Sequence, residues 1–86
     1  MTTENEAPAI TPQIANHVLW FFSHDEGYAP GGFFAAFYEL ASRADKDNLA
    51  NLELGFPAQI NAFKMGRGEV TGGVEMLRTL SRTVVK

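Results

Sequence analysis

Proline and glycine punctuation constrains this chain most. Thr11-Pro12, Ala29-Pro30-Gly31-Gly32, Gly55-Phe56-Pro57 and Gly66-Arg67-Gly68 cut it into pieces short enough only for brief helices. The pieces carry large apolar residues at helical spacing. Thr11 reads as an N-cap with Pro12 in the first helical position, where the missing N–H costs nothing. A first helix is expected from Pro12 to about Ser23, with Ile14, Val18, Phe21 and Phe22 on one face and Leu19 and Trp20 widening the apolar surface. A loop follows through residues 24–32. The second helix begins near Gly32 or Phe33 and ends around Arg43-Ala44, its inward stripe formed by Phe33, Phe37, Leu40, Ala41 and Ala44 and widened by Phe34 and Tyr38. Asp45 caps a third helix, from which Leu49, Leu52 and Phe56 face inward. Pro57 starts a fourth, buried through Ile60 and Phe63 and stopped at Gly66. A fifth, from Glu69 or Thr71 to Thr83, buries Val70, Val74, Leu77, Leu80 and Val84 and sets Arg78, Arg82 and Lys86 on its outer face.

The resulting expectation is an all-α fold, a compact bundle of four to five short helices. Residues 11–86 form one domain and residues 1–10 a flexible arm, because Met1 to Ile10 offers little apolar surface to offset the entropy of ordering it. With 86 residues the core has little reserve, since so short a chain buries roughly 60–65% of its unfolded surface. Seven phenylalanines supply enough ring surface to dispense with metals and disulfides.

The absence of cysteine excludes disulfide scaffolds, thiolate zinc sites and thiol catalysis. The longest run of large apolar residues, Val18 to Phe22, is far short of the roughly twenty that span a membrane. The acidic, polar start lacks the pattern of a secretory signal, so the expected location is cytoplasmic. Net charge is −3, yet residues 1–56 carry two bases against eight acids while residues 57–86 carry five bases against two acids. Such polarity marks an anionic partner, two attracting faces of one fold, or stacking between copies.

No cofactor, metal or small-molecule substrate is indicated. His17 and His24 are the only imidazoles, and seven residues along a helix separates them by about 10 Å, too far to share a metal. His24-Asp25-Glu26 with Tyr28 reads as a solvated loop rather than an acid–base site. Gly68-Glu69-Val70-Thr71-Gly72-Gly73 has phosphate-loop glycine spacing, but Val74 and Glu75 stand where lysine and a hydroxyl residue are needed. Ser23, Ser42 and Ser81 lie in no nucleophile elbow. The expected class is therefore not an enzyme.

What remains is an aromatic surplus. Val18 to Phe22 and Phe33-Phe34-Ala35-Ala36-Phe37-Tyr38 offer more apolar surface than one narrow stripe absorbs, and Trp20, Phe34 and Tyr28 are the candidates for a surface that contacts protein. The leading expectation is a non-enzymatic helical module that binds another protein or a second copy of itself.

Leu54-Gly55-Phe56-Pro57, followed by Ile60, Phe63 and Gly66-Arg67, resembles the turn and second helix of a lambda-repressor-type helix-turn-helix. That resemblance implies the alternative, a DNA-binding regulator in which Gln59, Asn61, Lys64 and Arg67 face the duplex. It departs from the family upstream, where the small residue packed in the first helix falls at Ala50 rather than at Asn51. A second resemblance covers about Pro30 to Phe63. Pro30-Gly31-Gly32-Phe33, Leu40-Ala41, Ala44-Asp45, Asn48 and Leu54-Gly55-Phe56-Pro57 are similar to small uncharacterised proteins of actinobacterial phages and mobile elements. This likeness implies an accessory protein acting on a host or phage protein in the host cytoplasm, and it brings no site residues.

Overall fold

Local chemistry sets most of the helix starts. In the computed structural model, which describes residues 9–82, α1 spans Pro12–Phe22, α2 Gly32–Arg43, α3 Lys46–Gly55, α4 Pro57–Gly66 and α5 Gly73–Ser81. Thr11 Oγ1 accepts the Ile14 N–H at 3.1 Å, and Asp45 Oδ1 accepts the Asn48 N–H at 2.8 Å. Each satisfies an amide that the first turn leaves without a helical partner. Pro12 and Pro57 occupy first-turn positions, and Phe56 serves at once as C-cap of α3 and N-cap of α4. The described residues form an all-α fold, as the punctuation implies. Residues 1–8, which hold most of the expected arm, and residues 83–86, including Val84 and Lys86, lie outside them.

Helix α4 is the centre of the bundle, packing against α1, α3 and α5, while α1 also packs along α5. Ala15, Val18 and Leu19 of α1, Leu49 of α3, Ile60, Ala62 and Phe63 of α4 and Leu77 of α5 are buried together with Phe37, Tyr38 and Ala41 of α2. Helix α1 crosses α4 at Gly66, where an added Cβ would lie 2.7 Å from Val18 Cγ1 and 2.8 Å from the Phe22 ring. Gly66 therefore permits a close helix approach, beyond its expected role as a stop. The loop after α1 turns at Gly27, whose positive φ of 67° and contact with the Asn16 backbone leave no room for a side chain.

Helix α2 sits furthest out. Only α1 approaches its backbone to any extent, and rings attach it to the rest. Tyr38 stacks on Phe63, with ring centres 6.3 Å apart and planes 9° apart, and Phe37 lies 4.8 Å from Phe56. The inward face is thus rotated from the expected stripe: Phe37, Tyr38 and Ala41 are buried, whereas Phe33 is 66% and Leu40 55% exposed. The rotation follows from the neighbours, since Phe63 and Phe21 lie on the Tyr38 side.

The start of α5 also differs. Gly68 and Gly72 both take positive φ, the Gly73 N–H bonds the Val70 carbonyl at 2.8 Å, and the helix begins only at Gly73, leaving Val70 exposed. Arg78, expected outermost, turns back across the fold to Glu26.

Candidate interaction surface

Helices α2 and α3 are joined by only Ala44 and Asp45, both with extended backbone. A groove of about 260 Å³ lies between the two helices. Leu40, Arg43 and Ala44 line one wall and Asn48, Asn51 and Leu52 the other. Phe33 stands seven residues before Leu40, two helical turns away on the same face of α2. Its ring lies 6.1 Å from Phe56, so the apolar surface continues past the groove to the end of α3. Leu52, Phe56 and Ala44 are half-buried beneath it. At the border, Arg43 Nε stands 3.7 Å from Glu39 Oε1, and both side chains are largely in solvent.

The aromatic residues singled out from the sequence are distributed differently. Trp20 is half-buried and stacks on the His24 imidazole at 4.2 Å and 12°. Phe34 is also half-buried, edge-on to Phe37 and Phe56. Tyr28 is exposed, edge-on to His17 at 5.3 Å, on the loop after α1. None of the three lines the groove, but Phe34 lies edge-on to Phe33 at 5.0 Å; Phe33 and Leu40, expected inside, are exposed beside the groove. The signal that could have found them was the width of the α2 stripe, more than one neighbour can cover.

Two ion pairs join the acidic first half of the sequence to the basic second half. Lys64 Nζ pairs with Glu53 Oε1 at 2.9 Å, and Arg78 Nε with Glu26 Oε2 at 2.7 Å, so bases of the second half meet acids of the first within one fold. Arg78 also contacts Glu75. The Arg78 guanidinium holds the Glu26 carboxyl below its ordinary pKa, and Glu26 in turn raises that of Arg78. Arg67 pairs with Glu69 and lies 4.8 Å over the Phe63 ring. Of the residues proposed to face DNA, Gln59, Asn61 and Lys64 are half-buried, and no residue of α4 is fully exposed. Ala50 and Asn51 are both exposed, so neither packs α3 against α4 as that family's small residue would.

The polar loop is divided as well. His24 goes to Trp20 and Glu26 to Arg78, which separates the would-be acid–base cluster. Burial lowers the pKa of His17 and raises that of the Tyr38 hydroxyl. Among the described residues no three His, Asp or Glu side chains converge as a metal site, and no helix is long and apolar enough to cross a membrane. No family model matches the chain, and no curated protein and no solved structure is significantly similar to it.

Proposed function

We propose that this chain is a non-enzymatic helical module that works by protein–protein contact through the outer face of α2 and the adjoining groove of α3. One observation carries the reading: Phe33 and Leu40, two large apolar side chains on one face of α2, are more than half exposed beside an apolar groove. Leaving such groups in water forgoes burial free energy on the order of 1.5–3 kcal/mol for each fully covered side chain. A second protein recovers it, and clustered apolar surface of this kind marks contact sites. On the resemblance to phage and mobile-element proteins, the partner is a second copy or a protein of the host or phage. DNA binding is the weaker reading, because it requires α4 to enter a groove while its side chains are engaged within the bundle.

Photo-crosslinking in the producing cells tests the proposal. A photoreactive phenylalanine analogue replaces Phe33 in one strain and the exposed Asp47 in a control. Discrete protein adducts from position 33 and none from position 47 support the reading. Absence of adducts from position 33 refutes it.

A further inference from the structure

We infer that the cavity between α1, α2 and α4 is a binding site for a neutral nucleobase or its nucleoside, a function additional to the protein contact proposed above. The cavity holds about 380 Å³, within the range of small-molecule pockets. Gln13, Ile14 and His17 of α1, Phe34 and Tyr38 of α2 and Gln59 of α4 line it. The observation that points to a ligand is the Tyr38 hydroxyl. Tyr38 is 1% exposed, and among the described residues no group hydrogen-bonds its hydroxyl. A buried hydroxyl without a partner is costly enough that nearly all such groups in folded proteins find one. The cavity is the open space that Tyr38 borders. The half-buried Gln59 amide and His17 imidazole likewise bond no described residue, and the ring contact of His17 with Tyr28 is edge-on. These polar groups converge on one space without being used by the fold.

Charge and shape set the ligand class. No Asp, Glu, Lys or Arg lines the cavity, and burial keeps the Tyr38 hydroxyl protonated and lowers the pKa of His17, so at pH 7 the walls are neutral. A phosphate, carboxylate or ammonium group would lose water there with no counter-charge to replace it. Each glutamine amide offers a donor beside an acceptor, the complement of the adjacent donor and acceptor on a base edge, as in the two-bond pairing of glutamine with adenine. The Phe34 and Tyr38 rings and Ile14 give the rest of the wall the apolar character against which a planar base packs.

Nuclear magnetic resonance titration of the isotope-labelled full chain with adenosine, guanosine, cytidine and uridine, each to about 1 mM, tests this. At least one nucleoside should shift the side-chain amide signals of Gln13 and Gln59 saturably, with Kd on the order of 100 µM. Glucose, which lacks the planar ring, and indole, which lacks the acceptor edge, should bind at least about tenfold more weakly, and the monophosphate of the bound nucleoside no more tightly than the nucleoside itself. Tyr38→Phe should weaken the nucleoside at least about fivefold while Tm stays unchanged or rises, since the lost hydroxyl has no partner within the fold. Gln59→Leu, of similar volume, should weaken it by a similar factor. No saturable shift with any of the four nucleosides overturns the inference, as does binding of glucose or indole at equal strength or a monophosphate that binds more tightly. Binding at parental strength by both variants places the nucleoside elsewhere and overturns the site. A Tm lowered by several degrees in Tyr38→Phe means that the hydroxyl is already satisfied inside the protein, and that overturns the inference as well.

Discussion

Replacing one glycine by alanine at two helix ends should move stability in opposite directions. Gly66 and Gly55 are the last residues of α4 and α3, and neither has positive φ. A methyl group at Gly55 meets nothing within 4 Å, so Gly55→Ala should be neutral or stabilising by up to about 1 kcal/mol through reduced unfolded-state entropy. A methyl group at Gly66 lies 2.7 Å from Val18 Cγ1 and 2.8 Å from Phe22 Cδ2. Phe22 is 40% exposed and can swing aside, but Val18 is fully buried and cannot move without shifting α1. Overpacking of this kind costs about 1–3 kcal/mol, and the entropy gain offsets up to about 1, leaving a net loss of roughly 1–2 kcal/mol for Gly66→Ala. In a domain of this size that corresponds to a fall in Tm of roughly 4–16 °C. Thermal and urea unfolding followed by far-ultraviolet circular dichroism measures both variants against the parent. A Gly66→Ala protein as stable as Gly55→Ala would refute the close crossing of α1 and α4.

Leu77→Ala, at a fully buried site, should cost about 2–5 kcal/mol in urea unfolding; a loss below about half a kcal/mol would move Leu77 out of the core. His17, its pKa lowered by burial, should titrate below 6.5 in an NMR pH series. Because protonation is disfavoured in the fold, its contribution is intact above pH 6.5 and is lost as pH falls through the lowered value; His17→Gln should flatten that part of the Tm–pH curve. Glu26 has its pKa lowered by Arg78, so its contribution is present above about pH 4.5 and is lost as pH falls below it. Arg78→Ala should remove that acid-side loss, and an unchanged Tm–pH profile would contradict the pairing.

The helix boundaries were legible in the sequence where one residue decides them. Thr11 and Asp45 cap with their own side chains, and Pro12 and Pro57 need no partner N–H, so three starts follow from local chemistry. The face that α2 buries was not legible. Phe33, Phe34, Phe37, Tyr38 and Leu40 span about 160° of the helix, nearly half its circumference, and periodicity alone cannot choose among them. Phe63, twenty-five residues beyond Tyr38, makes the choice by stacking on it. The same gap in information hid the groove, since Phe33 and Leu40 become surface groups only once α2 has turned Tyr38 inward. Pairs distant in sequence, such as Glu26 with Arg78, were likewise not legible.

The closure between α1 and α5 bears on how the protein is made. Asn16 Nδ2 donates to the Ser81 carbonyl at 3.2 Å while also bonding the Pro12 carbonyl, and the Glu26–Arg78 pair spans the same two regions. Val18 and Leu19 thus share a core with Leu77, nearly sixty residues later in the chain. During synthesis α1 emerges before α5 and waits for it, its apolar face open in the meantime. Capped α1 and α3 can form transiently by themselves, but the core closes only after release of α5 from the ribosome. Truncation or stalling before that point yields a sticky chain rather than a smaller fold, so closure of this bundle depends on translation having passed α5.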